Sequence, residues 1–242
     1  MNHLLPRPAH RLACLGVVAT TTIAAHAASL ALEGQDINDN PVGAAALDAV
    51  FEYDPNLNLT WLRDWNVNVN NGDSGLMTWD DDMSWATHLT VGSFSGWRLP
   101  TADTGPSSHC ERHFDPGIGS PDQYYGYNCI GSELGYLYYL ELGNTNTGLI
   151  HTGPFEDMQV GAYVTSTAYA PPPSGFVWDF QLETGKQEMD SRYLHYFAVA
   201  VRPGDVHAAS VPERPSMAMA LAALAVLSGV GVRRRRTPRV RT

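Results

Sequence analysis

The chain has 242 residues, of which 44% are hydrophobic and 17% are charged, and its formal net charge is −10. Positions 28–210 hold 24 of the 25 Asp and Glu residues but only six of the 15 Lys and Arg residues, so the formal charge there is near −18. Such a surface repels phosphate backbones and anionic lipid headgroups, which argues against binding to nucleic acid or to anionic membranes. It is compatible with neutral glycans, with cations or simply with solubility.

The first 27 residues have the three parts of a secretory signal peptide. Residues 1–11 contain two arginines and no acidic side chain, the run from Leu12 to Ala25 is apolar, and Ala25-His26-Ala27 has the small-x-small pattern of a cleavage site. A buried N-terminal helix is the alternative, but three consecutive threonines and many small residues suit a globular core poorly. We therefore expect export and cleavage after Ala27.

About 180 residues remain between the two terminal segments, which is enough for one domain with its own core. Residues 28–55 are predicted to form a small and polar lead-in, with a short strand around residues 50–53. Leu57 to Val69 alternate between apolar and polar residues, which predicts a strand. Asn70-Asn71-Gly72-Asp73 predicts the turn that follows it.

A first helix is predicted from Trp79 to Thr90. Thr78 fits the N-cap position, the aspartates at positions 80–82 suit a helix N-terminus, and apolar residues recur at helical spacing from Met83 onward. The three aspartates are also compatible with a metal cluster. Successive helical residues face different directions, however, so we prefer the capping and dipole interpretation.

A second helix is predicted further along the chain. It begins after Ser132, which fits the N-cap position, and it ends at Gly143, which suits the left-handed position after a helix. One face of this helix carries Leu134, Leu137, Tyr138 and Glu141.

Three strand-like runs follow, at residues 161–168, 176–182 and 193–201. Residues 171–175 and 183–186 separate them, and the last two runs are candidates for a hairpin. Two helices among short antiparallel strands, without β-α-β alternation, predict an α+β fold class and a single domain.

Two cysteines remain after the expected removal of Cys14 with the signal peptide. Cys110 and Cys129 form an even pair in an oxidising compartment, so a disulfide that closes a loop of about 20 residues is the preferred interpretation. Such a closure contributes roughly 3 kcal/mol in the chain-entropy description. A metal site that recruits His109 and His113 with the two cysteines is the alternative, but the spacing matches no standard zinc pattern.

The C-terminal segment also has three parts. Val211-Pro212-Glu213 comes first and Arg233-Arg234-Arg235-Arg236 comes last. Between them, Met217 to Val232 form an apolar run that is shorter than the roughly 20 residues of a typical spanning helix. By the positive-inside rule, the arginines would hold this end in the cytoplasm while the rest of the chain lies outside. The residues therefore predict a transient membrane anchor or, as the alternative, an ordinary tail anchor of the same topology.

Together these parts, within residues 206–242, resemble the PEP-CTERM sorting signal. The resemblance implies that an exosortase recognises and processes the tail during export to the cell surface, outer envelope or extracellular matrix of a Gram-negative bacterium. In one respect the tail departs from the family: Arg214 stands between Glu213 and Pro215-Ser216, where the family usually reads Val-Pro-Glu-Pro-Ser.

Two short motifs stand out between the termini: Trp97-Arg98-Leu99-Pro100-Thr101 and Val201-Arg202-Pro203-Gly204. Together with residues 78–86, 132–135 and 163–167, they resemble the bacterial DUF1566 domain, also called the Lcl C-terminal domain, over residues 56–205. One aromatic position of that family is valine in this chain, Val164. The resemblance implies a fold similar to the C-type-lectin-like and formylglycine-generating-enzyme-like folds, and some family members bind glycans as adhesins.

The side chains of the first motif also have a physical interpretation. Trp97 and Leu99 have the same parity along a strand and are expected to face the core, while Arg98 points away or pairs with a carboxylate. Pro100 ends the element. Since Trp and Leu are usually buried, we expect the motif to be scaffold and not a ligand contact.

The sequence contains no recognisable pattern for catalysis or for a cofactor. Gly92-Ser93-Phe94-Ser95-Gly96 has phenylalanine where a nucleophile elbow needs serine. Phosphate loops, dinucleotide fingerprints and His-Glu-x-x-His are absent from the sequence, as are the Glu-Pro-Asn and Trp-Asn-Asp motifs of calcium-dependent lectins. We therefore expect no cofactor, no metal and no enzymatic activity.

Three tyrosines, Tyr124, Tyr125 and Tyr127, lie inside the cysteine loop. Exposed rings there would stack on sugars, whereas buried rings would pack the loop onto the domain. With export and the family resemblance, they predict a cell-surface or matrix protein that acts as an adhesin or binds glycans or exopolysaccharide. The alternatives are a structural matrix protein with protein partners only and, less favoured, an envelope enzyme.

Overall fold

The computed structural model describes residues 31–38, 40–66, 75–117, 119–170 and 175–206. The expected signal peptide, the turn at 70–73, the separator at 171–174 and the sorting tail from residue 207 onward lie outside the described residues. Within the described ranges, no helix is both long enough and apolar enough to cross a membrane.

The described residues form twelve short strands, all paired in antiparallel fashion. They are β1 (Glu33–Asp36), β2 (Pro41–Val42), β3 (Ala49–Asp54), β4 (Leu59–Leu62), β5 (Met77–Thr78), β6 (Arg112–Phe114), β7 (Gln123–Tyr125), β8 (Ala162–Ala168), β9 (Phe176–Gln181), β10 (Lys186–Ser191), β11 (His195–Tyr196) and β12 (Val201–Pro203). The helices are α1 (Trp79–His88), a short 3₁₀ turn (Pro106–Ser108) and α2 (Glu133–Tyr136), which continues as a π-helical turn (Leu137–Glu141). This mixture confirms the α+β class.

Two larger sheets organise the molecule. One has five strands in the order β12-β4-β3-β1-β2, and the other has three in the order β10-β9-β8. The segment from β11 to β12 connects them, because Phe197 N–H donates to Ala162 O of β8 at 2.9 Å and Val201 pairs with Trp61 of β4. The two sheets therefore belong to one continuous framework.

Three apolar clusters fill the interior. The largest contains the stacked indoles of Trp61 and Trp65, with centroids 5.9 Å apart, and it receives Leu134, Leu137 and Tyr138 from the second helix. The second cluster lies between α1 and the three-stranded sheet, and the third packs against β3 and β4. Three of the four residues on the predicted face of the second helix thus enter the core, while the fourth, Glu141, is half-buried.

The strand expected from Leu57 to Val69 is shorter than predicted. β4 covers only four residues, and all four side chains are buried because Trp61 and Leu62 enter core clusters on opposite faces of the sheet. Asp64 turns the chain shortly after the strand, since its Oδ1 accepts a hydrogen bond from Asn66 N–H at 2.8 Å. Residues 67–69 lie outside the described part of the chain.

The strand expected at residues 193–201, and its hairpin with residues 176–182, are wrong. The partner of β9 is β10, in which Lys186 pairs with Gln181 and Ser191 with Phe176. Residues 193–201 are instead divided between β11 and β12. The composition contains no signal for β10, because five of its six residues are polar or charged and such residues have low strand propensity.

Both predicted helices exist, and the C-terminal end of α1 differs from the prediction. α1 begins after Thr78, whose hydroxyl donates to Asp81 Oδ2 at 2.6 Å instead of capping a backbone N–H. The helix ends at His88, two residues before the predicted end. α2 begins after Ser132, and Gly143 has the positive φ of 66° expected just beyond a helix.

Candidate functional site

The β6–β7 hairpin carries the cysteine loop. The sulfur atoms of Cys110 and Cys129 lie at bonding distance, and a disulfide removes the thiolates that the alternative zinc site would need. Beyond β7 the loop is tied to β10, because Gly126 and Gln187 exchange two backbone hydrogen bonds of 2.8 Å. The hairpin is thereby fixed against the edge of the three-stranded sheet.

Gln187 is the polar link between this loop and the start of the second helix. Its side chain is buried, its Oε1 accepts from the Ser132 hydroxyl at 2.5 Å, and its Nε2 donates to Asp103 O at 3.0 Å. Ser132 occupies the predicted N-cap position, but its hydroxyl makes no capping hydrogen bond because it is used across the loop. Gly131 permits this packing, since a Cβ there would lie 2.4 Å from Ser107 O.

A cavity of about 310 Å³ lies between the β6–β7 hairpin and β10. Its lining combines three aromatic residues, a thioether and two opposite charges: Phe114, Tyr125, Trp178, Met189, Lys186 and Glu188. The volume is at the lower end of the range for small-molecule sites, about 300–1,000 Å³. Mainly apolar walls with a few polar groups are typical of such sites.

The three tyrosines of the cysteine loop are all half-buried, but they have different neighbours. Tyr125 lines the cavity and packs edge-on against Phe114, with ring centroids 5.9 Å apart. Tyr124 stacks on His113 with centroids 5.1 Å apart, and Tyr127 is not part of this lining. Of the three candidate ligand contacts, Tyr125 is the one that the fold brings to the cavity.

The charged part of the lining is an ion pair on β10. Lys186 Nζ donates a hydrogen bond to Glu188 Oε2, and the two side chains are 32% and 27% exposed. This hydrogen bond raises the pKa of Lys186, so the ammonium group stays charged at neutral pH. A ligand in the cavity would meet a donor and an acceptor of opposite charge.

Three carboxylates gather at the β9–β10 hairpin, and among the described residues they are the group that could hold a metal ion. One carboxylate oxygen each from Asp179, Glu188 and Asp190 lie within 4.8 Å of one another. Asp179 is fully buried; its Oδ1 accepts from Gln181 Nε2 at 2.9 Å, and its Oδ2 accepts no hydrogen bond from the described chain. Burial, together with the charges of Asp190 and Glu188, raises the pKa of Asp179 to about 8.

The Trp-Arg-Leu-Pro-Thr motif makes contacts inside the fold. Trp97 and Leu99 are buried as expected. Arg98 donates hydrogen bonds of 2.8 and 2.7 Å to the two carboxylate oxygens of Glu133, which also accepts from Thr101 N–H at 2.7 Å. A bidentate pair of this kind fixes the relative orientation of its partners, so it holds the motif against the start of α2.

The second motif, Val201-Arg202-Pro203-Gly204, contains β12 and also makes contacts within the fold. Val201 is buried, and Arg202 Nε donates to Ser95 O at 3.0 Å. Gly204 has a φ of 78°, and its N–H donates to Asn58 O at 2.8 Å. These residues fasten the chain to the five-stranded sheet, and none of them lines the cavity beside β10.

No family model matches the chain, and no curated protein is significantly similar to it in sequence. The functional evidence therefore consists of the residues of the chain itself.

Proposed function

We propose that the protein is an exported glycan-binding module of the cell surface or extracellular matrix, and that the cavity beside β10 receives a sugar unit of a neutral polysaccharide. The observation that supports this best is the placement of Phe114 and Tyr125 next to the Lys186–Glu188 ion pair in one cavity. Aromatic rings offer apolar faces for the faces of sugar rings, while polar groups orient a ligand through hydrogen bonds.

Delivery to the surface is supported by the sequence of the two termini. A signal peptide over residues 1–27 would direct export, and the PEP-CTERM-like tail over residues 206–242 would bring the chain to an exosortase, with transient anchoring in the inner membrane. The DUF1566-like motifs support a C-type-lectin-like form of the α+β fold and the role of an adhesin.

The charge of the molecule favours a neutral polysaccharide over an acidic one. Residues 28–210 have a formal charge near −18, and a polymer with many negative charges would be repelled from such a surface. Lys186 does not reverse this, because its ammonium group is already paired with Glu188.

The test is a titration of the full chain with a neutral and an anionic exopolysaccharide, with the Tyr125→Ala variant beside the wild type. We expect saturable binding of the neutral polymer that weakens by roughly tenfold, about 1.4 kcal/mol, in the variant, because one stacking face is lost. Isothermal calorimetry measures both affinities.

Tyr193→Ala is the matched control, since Tyr193 is 74% exposed and does not line the cavity. It should bind the neutral polymer as the wild type does. Equal losses in the two variants, or no loss in Tyr125→Ala, would show that the cavity is not the binding site. Absence of binding to either polymer would favour a structural matrix role with protein partners.

A further inference from the structure

The β9–β10 hairpin places acidic side chains where a β-sheet ordinarily avoids them. Asp179 and Glu188 are direct partners in the antiparallel register, and Asp190 is two residues further along the same strand, so all three share one face. Like charges directly opposite each other on neighbouring strands are destabilising. A group that lies between them and carries positive charge would remove this repulsion.

We propose that Asp179, Glu188 and Asp190 bind a hard divalent cation such as Ca²⁺. Their carboxylate oxygens lie within 4.8 Å of one another, a separation that two Ca²⁺–oxygen bonds of about 2.3–2.6 Å each can bridge. Oxygen ligands of this type are those that hard cations prefer. The proposal does not depend on what the neighbouring cavity binds, although Glu188 belongs to both.

Asp179 is the fully buried member of the acidic cluster, and one of its carboxylate oxygens lacks a partner within the described part of the chain. Its side chain has 0% exposure, and its Oδ2 accepts no hydrogen bond from the described residues. A buried carboxylate oxygen without a partner is costly, because it has lost its water and gained nothing in return. A cation held by the three carboxylates would provide the missing partner.

The charges of the cluster match a divalent ion. Asp179 must lose its proton when a cation binds. The three ionised carboxylates and the Lys186 ammonium group, which donates to Glu188 Oε2, then sum to a formal charge of −2. Lys186 offsets one of the three negative charges. The two remaining negative charges are those that a divalent cation would balance.

The exposure of the cluster indicates how a cation would enter and how tightly it would bind. Glu188 and Asp190 are partly exposed, whereas Asp179 forms the closed end of the site. Ca²⁺ takes about six to eight oxygen ligands, so water would complete the coordination on the open side. We expect a dissociation constant of about 10⁻⁴ to 10⁻³ M, the range of extracellular Ca²⁺-binding modules.

The experiment is a calorimetric titration of the full chain with CaCl₂ at pH 7.5, with no glycan present and with NaCl of equal ionic strength as reference. The wild type should bind one Ca²⁺ per chain, and its thermal unfolding midpoint should rise. In Asp179→Asn the Ca²⁺ affinity should fall roughly tenfold or more, and Ca²⁺ should no longer raise the thermal unfolding midpoint. If Asp179→Asn does not fold, Asp190→Asn, which changes a half-buried group, is titrated in its place and should show the same loss of Ca²⁺ affinity.

Two neutralising controls separate this site from the general acidity of the chain. Asp82→Asn removes another fully buried carboxylate, and Asp157→Asn removes an exposed one; both should bind Ca²⁺ as the wild type does. The proposal is overturned if the wild type shows no response, if Asp179→Asn and Asp190→Asn retain it, or if a control loses as much affinity. Because the glycan titration probes Tyr125 and the CaCl₂ titration contains no glycan, either proposal can fail while the other stands.

Discussion

Glu52 lies in the middle of β3 with 0% exposure, and neither of its carboxylate oxygens accepts a hydrogen bond from a described residue. It pairs across the sheet with the buried Trp61. Burial raises the pKa of Glu52 to about 8, although the positive charge of Arg63 opposes the shift. This residue holds a proton in the folded protein over a pH range in which an exposed glutamate is ionised.

That proton makes the free energy of unfolding depend on pH. The pKa is about 8 in the folded protein and near 4.5 for an unperturbed glutamate, so the folded state binds more protons between these values. We expect this group to lower the free energy of unfolding by roughly 1 kcal/mol per pH unit as pH rises from about 4.5 to about 8. Urea denaturation at several pH values measures the slope.

Glu52→Gln should reduce the measured slope by roughly 1 kcal/mol per pH unit and stabilise the protein at pH 8 relative to the wild type, because the glutamine has no proton to lose. Burial also raises the pKa values of Asp82 and Asp179 to about 8, so these two groups keep their share of the slope. Glu183→Gln changes an exposed glutamate and should leave the slope as it is. A Glu52→Gln variant with the full wild-type slope would show that Glu52 is ionised in the folded state at neutral pH.

At the scale of single residues, the sequence predicts which kind of group a side chain contacts better than it predicts which residue provides that group. Arg98 is confirmed as an arginine paired with a carboxylate, because its parity relative to Trp97 and Leu99 indicates the direction of each side chain. Glu133 as the partner was not predictable. It lies 35 residues away in the chain, and the approach of α2 to the motif depends on the packing of the whole core.

Among the elements, the β6–β7 hairpin depends most on one covalent link. Few of its residues are fully buried, and the disulfide between Cys110 and Cys129 closes a loop of 19 residues. We expect the double variant Cys110→Ser/Cys129→Ser to lose about 3 kcal/mol of unfolding free energy, mainly because its unfolded chain is less restricted. Amide hydrogen exchange should accelerate first in β6 and β7.

The corresponding control is reduction by dithiothreitol, which should destabilise the wild type and leave the double variant unchanged. Equal stability of the wild type and the double variant under oxidising conditions would contradict the prediction. Slow exchange in β6 and β7 of the double variant would show that the pairing of Gly126 with Gln187 is sufficient to hold the hairpin.

Some helices and strands can be predicted from the local sequence much better than others. The start of α1 and the end of the second helix follow from local signals, an N-cap threonine and a glycine with positive φ. β10 has no such signal, because its polar residues are held in a strand by backbone pairing with β9 and by Gln187. Tertiary pairing overrides propensity there.

At the scale of the whole molecule, the two terminal segments make a prediction about where the protein is found. A chain that ends at Ser210 keeps the expected signal peptide and lacks the apolar run and the arginines. We expect it to be released into the medium, whereas the full chain is retained in the envelope or matrix, because the tail would provide the anchoring and the sorting. Immunoblots of cell and medium fractions distinguish the two results.

A variant with Arg233 to Arg236 replaced by glutamine tests the arginines alone, since it keeps the length of the chain and the apolar run. It should be retained less than the full chain. Equal retention of the truncated and the full chain would contradict the sorting interpretation and would favour retention by polysaccharide binding.

By itself, the sequence determined the α+β class, the burial of Trp97 and Leu99, and the pairing of Cys110 with Cys129, because each depends on composition or on short spacing. The tertiary structure alone decided that Asp179 meets Glu188 and Asp190, and that Tyr125 lines a cavity with Lys186. The physical reason is register. A shift of one residue between two strands moves every side chain to the opposite face, and the packing of the whole core, not the local sequence, sets that register.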